Sequence, residues 1–99
     1  MASYKLIVSP IARDDLKNIY HFGVCSWGAD QASTYLENLK AQLWLLTEHP
    51  RIGIDRTTLA PTMRSLSVAS HVVFYRLQTE HIEIVRILHG RQDPQRHIK

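Results

Sequence analysis

The spacing of apolar residues in the first half of the chain predicts a short strand followed by a helix. The run YKLIV at residues 4–8 is β-prone, and Ser9-Pro10 is typical of a helix N-cap with proline at the first helical position. Helical spacing continues to about Cys25, with one apolar face made of Ala12, Leu16, Ile19, Tyr20 and Gly23. Asp14 and Asp15 lie in the opening turns, where carboxylates complement the helix dipole.

A second helix is predicted from about Ala29 to a stop at His49-Pro50. Its apolar stripe consists of Ala32, Tyr35, Leu36, Leu39, Leu43 and Leu46. The short connection between the helices indicates an αα-hairpin. Both helices have broad apolar faces, which predicts a sheet on one side and leaves some apolar surface for a partner.

The second half of the chain changes to the pattern of strands. Residues 51–62 lack periodicity and are predicted to be a loop, and residues 63–68 form a short strand. Two longer β-type runs, 71–77 and 82–89, are joined through residues 78–81 as a hairpin. The predicted order is β-α-α-β-β-β, an α+β domain in which a helical hairpin packs on a mostly antiparallel sheet.

Length and composition favour one globular domain over residues 1–99. An apolar fraction of 44% and a charged fraction of 21% are ordinary for such a domain. No apolar run approaches the roughly 18 to 20 residues that a membrane span needs. The N-terminus is short and strand-like, unlike a signal peptide, which favours a cytoplasmic location.

No cofactor or metal site is expected from the sequence. Cys25 is the single cysteine, which excludes an intrachain disulfide framework. His21 and Cys25 share a helix face, but no second cysteine or histidine pair completes a set of metal ligands. The four glycines are scattered and form no phosphate-binding loop.

Charge is distributed unevenly between the two halves of the chain. Residues 1–50 carry four Lys/Arg and five Asp/Glu, a net charge of −1, whereas residues 51–99 carry eight against four, a net charge of +4. Such asymmetry indicates either an anionic partner for the second half, a nucleic acid or an acidic protein, or equally a solvated basic face.

One group of polar residues in the second half could support metal-free RNA cleavage. That chemistry needs a base, an acid and guanidinium groups near the phosphate, and the group offers Arg64, Glu83, Arg86, His89 and Arg91. An ideal pleat, however, puts Glu83 and Arg86 on opposite faces of the strand. The alternative is that these residues make cross-strand pairs, or anchor the basic tail or a partner's carboxylates.

Four aromatic residues on the predicted helices could form a base-stacking platform. They are Tyr20, Trp27, Tyr35 and Trp44. Because the helices pack on a sheet, roles in the core or in a groove for a partner are favoured over base stacking.

Four stretches in the right order resemble the ParE branch of the RelE/ParE toxin superfamily. They are SPIARDDLKNIYHF, WGADQASTYLENLKAQLWLLTEHPRIG, LAPTMRSLSVASHVVFYR and IEIVRILHGRQDPQRH, which together cover nearly the whole chain. The resemblance implies a toxin of a type II toxin–antitoxin module that inhibits DNA gyrase by binding and stabilises its cleaved-DNA complex. It also implies neutralisation by a ParD-like antitoxin, bound as a helix in a groove and as an added strand.

Two sets of contact residues follow as expectations from this resemblance. The residues expected to contact the target are Arg64, Arg76, Arg86, His89, Arg91 and Asp93. The residues expected to contact the antitoxin are Leu16, Tyr20, Tyr35, Leu39 and Trp44, of which some are expected to be core residues instead.

The same superfamily contains RelE-like ribosome-dependent mRNA endonucleases, so the fold alone does not decide the function. Residues 51–68 contain no lysine and no tyrosine follows Tyr75, which departs from the nuclease pattern. Arg64, Arg86 and His89 remain as a partial catalytic set. An mRNA endonuclease is therefore the alternative to gyrase inhibition, and a toxin-like protein that only binds the antitoxin is a third.

Overall fold

The computed structural model of the protein describes residues 3–98. In chain order its elements are β1 (Lys5–Val8), α1 (Pro10–Trp27), α2 (Ala29–Glu48), β2 (Ile54–Asp55), β3 (Met63–Val68), β4 (His71–Leu77), β5 (His81–His89) and α3 (Pro94–His97). The strands form a sheet in the order β1-β5-β4-β3-β2, with β1 parallel to β5 and the other neighbours antiparallel. The predicted helical hairpin on a mostly antiparallel sheet is confirmed.

The main core lies between the two long helices and one face of the sheet. Its buried residues are Ala12, Leu39, Leu43, Leu46, Val73, Tyr75, Ile82, Ile84 and Ile87. The two helices pack closely at Gly23, where an added Cβ would lie 3.0 Å from the Cβ of Ala32. A larger residue at Gly23 would therefore require the neighbouring side chains or the helices to shift.

The start of α1 is capped as predicted, and the same side chain also holds β5. The Oγ of Ser9 accepts a hydrogen bond from the Ala12 N–H at 3.0 Å and donates one to the carbonyl of Val85 at 2.9 Å. The helix ends at Trp27, two residues later than the predicted end near Cys25. Gly28 sets this end, because its φ of +96° is a conformation that favours glycine.

A second apolar cluster covers the opposite face of the sheet. Met63, Phe74, Leu88 and Ile98 are buried there, with Leu59, Ala60, Val72 and Val85 packed against them. Two elements in this half were not predicted. The strand β2 lies within the predicted loop and pairs only Ile54 and Asp55 with β3, and the short helix α3 precedes the buried Ile98.

A β-bulge in β5 changes the faces on which its residues lie. Phe74 pairs with Arg86 and Tyr75 pairs with Ile84, so Val85 has no partner on β4. Such an extra residue reverses the pleat beyond it.

The bulge overturns the prediction that Glu83 and Arg86 lie on opposite faces. Glu83 pairs with Arg76, and Arg86 pairs with Phe74. These β4 partners are two residues apart and therefore share a face, so Glu83 and Arg86 share one as well. The prediction was wrong because it assumed a regular strand.

Candidate functional site

An ion pair joins α1 to β5 where β1 ends. The carboxylate of Asp15 accepts hydrogen bonds from Arg86 Nε at 2.8 Å and Arg86 Nη2 at 2.9 Å. One carboxylate oxygen also accepts the Ile87 N–H at 2.9 Å. Hydrogen bonding to Asp15 raises the pKa of Arg86. Asp15 therefore anchors the edge of β5, a role beyond the helix-dipole contribution predicted from its position.

The Arg86 guanidinium has little capacity left for a target. Its Nη1 donates to the carbonyl of His97 at 3.3 Å, and its other two nitrogens face Asp15. The side chain is 19% exposed. Arg86 thus connects α1, β5 and the C-terminal segment, and a partner would have to compete with these contacts.

Two histidines face each other at the ends of β4 and β5. His71 pairs with His89 in the sheet, and their ring centroids are 5.4 Å apart. His71 Nδ1 lies 2.6 Å from the hydroxyl of Tyr35, which also accepts the Ser70 N–H at 3.2 Å. Burial lowers the pKa of His71, and the nearby His89 lowers it further, while Asp15 opposes these effects.

The segment after β5 folds into a compact turn. The His89 N–H donates to Gln92 Oε1 at 2.7 Å, and the Arg91 N–H donates to His89 Nδ1 at 3.2 Å. Asp93 caps α3 by accepting the Gln95 N–H at 3.0 Å. The Arg91 side chain is exposed and makes no hydrogen bond within residues 3–98. Of the predicted target residues, Arg91 therefore presents the most accessible cation.

Arg64 and Arg76 lie near the other end of β4 and on opposite faces of the sheet. Arg64 Nη1 donates to the carbonyls of Gly53 at 2.7 Å and Arg51 at 3.3 Å. Arg76 pairs with Glu83 across β4 and β5, and its buried Nε has no hydrogen-bond partner within residues 3–98.

The structure does not bring the three possible nuclease residues together. Arg64 pairs with Tyr75 and His89 pairs with His71, four residues away on β4. β3 and β5 flank β4 on its two sides. With about 3.4 Å per residue and about 4.8 Å between strands, the Cα atoms of Arg64 and His89 are roughly 17 Å apart.

The predicted antitoxin contacts differ greatly in exposure. Trp44 is 63% exposed, whereas Leu39 is completely buried in the core. Leu39 therefore cannot contact a partner in this structure, and its inclusion among the contacts is corrected. Leu16 and Tyr20 are half-buried, and Tyr35 is half-buried and bonded to His71.

Sequence reasoning missed the most exposed aromatic residue of the structure, Phe22. It is 68% exposed and lies 6.5 Å from Trp27 between ring centroids, in a T-shaped arrangement. Its position off the apolar stripe of α1 was the available signal, because an aromatic on the polar face of a helix has no core to enter.

Two kinds of feature are absent from residues 3–98. Within residues 3–98, no group of three or more His, Cys, Asp or Glu side chains is arranged to hold a metal ion. No helix in this part of the chain is both long and apolar enough to cross a membrane.

Comparison with known proteins relates the whole chain to one family. Residues 6–94 match the family described as ParE toxin of type II toxin-antitoxin system, parDE. The chain is 37% identical over 97 residues to Toxin ParE1 of Mycobacterium tuberculosis, covering 97% of this chain and 99% of that protein. It is 35% identical over 98 residues to Toxin ParE1 of Caulobacter vibrioides, covering 99% of each.

A solved structure shares the fold. A chain in the chromosomal ParDE TA system from P. aeruginosa superposes with a TM-score of 0.77 at 24% identity. The match covers 88% of this chain and 96% of that one.

Proposed function

Because the chain belongs to the ParE toxin family of type II toxin–antitoxin systems, we propose that it inhibits DNA gyrase by binding and stabilises gyrase's cleaved-DNA complex. In this function the toxin is a protein inhibitor without turnover of its own, and it acts in the cytoplasm. The separation of Arg64 from Arg86 and His89 supports inhibition over RNA cleavage. Arg64 and Arg86 are also bound to groups of the protein itself.

The surface proposed to contact gyrase or its DNA centres on Arg91. Its backbone is fixed by His89, while its side chain is exposed. Arg96, on the neighbouring α3, adds a second exposed cation. The half of the chain that contains both has a net charge of +4, which favours encounter with an anionic surface.

A supercoiling assay with purified gyrase tests this function. The wild-type toxin is expected to block supercoiling and to increase cleaved DNA. Arg91→Glu is expected to need about tenfold more protein, because reversing one exposed charge removes an attraction and adds a repulsion. Arg13→Glu changes an arginine on α1 that is also exposed and serves as the control.

Two results would contradict the proposal at different points. No inhibition and no cleaved DNA at excess wild-type toxin would remove gyrase as the target. Equal potency of Arg91→Glu and Arg13→Glu would leave gyrase but reject the contact surface. Expression without antitoxin provides a further check. Growth arrest would show that the protein is still toxic, so that neither outcome could be attributed to a loss of toxicity.

We also propose that a ParD-like antitoxin covers part of the helical hairpin. Trp44 offers an exposed aromatic surface on α2, and Leu45 beside it is 38% exposed. Large aromatic residues of this kind often dominate binding energies at interfaces. In calorimetry with the antitoxin encoded beside the toxin, Trp44→Ala should weaken binding by at least about tenfold, whereas the exposed Lys17→Ala should not. Equal affinities would exclude Trp44 from the interface.

The mRNA endonuclease remains the second candidate for one reason. Glu83 and Arg86 share a face of the sheet, contrary to the regular pleat. Primer extension on translated mRNA tests this candidate, since reproducible cleavage at ribosomal A-site codons is expected only from the nuclease. Such cleavage without gyrase inhibition would replace the proposed function.

A further inference from the structure

A cavity of about 470 Å³ opens between α1, from Asp15 to Trp27, and the ends of β4 and β5. This volume is in the range of small-ligand sites. It is bounded by apolar side chains on one side and by two histidines on another. The residues that matter here are Ile19, Phe22, Trp27, His71, Ile87 and His89.

The apolar side of the cavity is built mainly from α1. Phe22 is 68% exposed and Trp27 is 46% exposed, although both are large aromatic residues. Trp27 also lies 5.5 Å from Tyr35 between ring centroids, which ties it to α2. A flat or bulky apolar group placed between Phe22 and Ile87 would cover surface that water now contacts.

The histidine side of the cavity offers hydrogen-bond donors. The Arg91 N–H can only donate, so neutral His89 must accept at Nδ1 and carry its proton on Nε2. The Tyr35 hydroxyl accepts the Ser70 N–H and lies 2.6 Å from His71 Nδ1, and we assign its own hydrogen to that nitrogen. This assignment leaves the proton of His71 on Nε2 as well. Both rings then have an N–H donor that is not used by Tyr35 or by the terminal turn.

Charged groups near the histidines do not prevent an anion from binding. Asp15 lines the cavity, but its carboxylate is held by Arg86 through two hydrogen bonds and forms an ion pair. The two donor N–H groups disfavour a cationic ligand, because a cation offers no acceptor. An acceptor oxygen attached to an apolar group satisfies both sides of the cavity.

We propose that this cavity binds an apolar group that carries a carboxylate. The apolar part packs against Phe22, Trp27 and Ile19, and the carboxylate oxygens accept hydrogen bonds from Nε2–H of His71 and His89. The ligand is either a free carboxylic acid or an acidic segment of a partner with a bulky apolar residue. The site does not depend on the proposed action on gyrase.

An NMR titration with phenylpropionate tests the site on the full chain. The side-chain resonances of His71, His89 and Trp27 are expected to shift together and to saturate at about millimolar concentration, as for a small fragment. Phenylpropanol, which keeps the ring but lacks the carboxylate, is expected to bind about tenfold more weakly, since hydrogen bonds to a charged group are the stronger ones. Acetate, which lacks the ring, should give no saturable shift.

Matched variants show which side of the cavity binds the carboxylate and which side binds the ring. His89→Phe keeps a planar ring at an exposed position and removes the Nε2 donor together with the Nδ1 acceptor of the Arg91 N–H, so phenylpropionate affinity should fall about tenfold. His49→Phe makes the same change at an exposed histidine outside the cavity and should leave affinity unchanged. Phe22→Ala should weaken phenylpropionate and phenylpropanol by the same factor.

The outcomes separate the sources of the ligand and can overturn the site. The peptide acetyl-Ala-Phe-Glu-Ala-amide carries its only carboxylate on a side chain. If this peptide binds at least as tightly as phenylpropionate, the site is assigned to a partner segment. If phenylpropionate binds and the peptide does not, the site is assigned to a free acid. Absence of saturable shifts with either probe overturns the proposal. Equal binding of phenylpropionate and phenylpropanol overturns the role of the carboxylate.

Discussion

Replacing Asp15 with Asn should remove a large part of the stability of this fold. Asp15 is 9% exposed, and its carboxylate accepts three hydrogen bonds, two from Arg86 and one from the Ile87 N–H. Asparagine has nearly the same shape but only one acceptor oxygen and no charge. Arg86 would then be a partly buried cation without its counter-ion.

The size of the loss follows from this geometry. Removing one partner of a buried ion pair costs about 3–5 kcal/mol. Arg86 is 19% exposed and keeps its bond to the His97 carbonyl, so the lower end, about 3 kcal/mol, is expected. With a urea m-value of about 1–3 kcal/mol per molar, the unfolding midpoint should fall by roughly 1–3 M.

Urea unfolding followed by circular dichroism measures this change, and Asp14→Asn is the matched control. Asp14 is the adjacent residue on α1 and is exposed, so its substitution should stay within about 0.5 kcal/mol of wild type. The Arg86→Gln single variant and the double variant complete a thermodynamic cycle, with a coupling energy above about 0.5 kcal/mol expected for a direct contact. Equal midpoints for Asp15→Asn and Asp14→Asn would refute the anchoring role.

Three further predictions concern stability and use the same urea assay. Gly53→Ala should destabilise the fold by more than about 1 kcal/mol, because the new Cβ would lie 2.8 Å from the Cε1 of Tyr75. Gly90→Ala should cost less, because its new Cβ would lie 3.4 Å from the carbonyl oxygen of Ser70. Equal losses for the two variants would contradict this prediction. The pKa of His71 is lowered in the folded state, so the unfolded state binds the proton more readily. The free energy of unfolding should therefore fall as pH decreases from about 6.5 to the lowered pKa. His71→Gln should remove that part of the pH dependence, and a variant with the same pH profile as wild type would contradict the role of His71. Ala69→Gly should raise the midpoint slightly, because Ala69 has a φ of +52°, and a fall would show that the loss of chain entropy outweighs the relief of strain.

The main elements could be predicted because their apolar spacing is regular. The α2 stripe from Ala32 to Leu46 and the β-type runs of β4 and β5 each extend over several periods. The strand β2 has only two residues, which is too short for a period to be seen. The helix α3 has four residues and adjoins the buried Ile98, so its position depends on tertiary packing that sequence spacing does not encode.

The role of Asp15 could not be predicted from its neighbours along the chain. A carboxylate early in a helix is typical of a residue that complements the helix dipole. Its actual partners, Arg86 and Ile87, are 71 and 72 residues away along the chain. Asp15 can reach these two residues because β1 pairs with β5 only as far as Ile84. Beyond Ile84, the edge of β5 is free to contact α1.

The Val85 bulge explains why the candidate site has its observed form. In a regular hairpin that starts from the observed pairing of Arg76 with Glu83, Arg86 would lie opposite Val73, which is completely buried in the main core. The extra residue instead places Ile87 opposite Val73 and Arg86 opposite Phe74. Arg86 therefore stays out of the main core and its side chain bonds to Asp15.

The same one-residue shift sets the pairing of the two histidines. Without it, His71 would lie opposite Leu88 rather than His89. The donors on the histidine side of the cavity therefore depend on the bulge, and the carbonyl of the bulged Val85 accepts a hydrogen bond from the Ser9 hydroxyl. A residue at the start of α1 thus contacts the irregularity in β5 that sets the pairing of the two histidines.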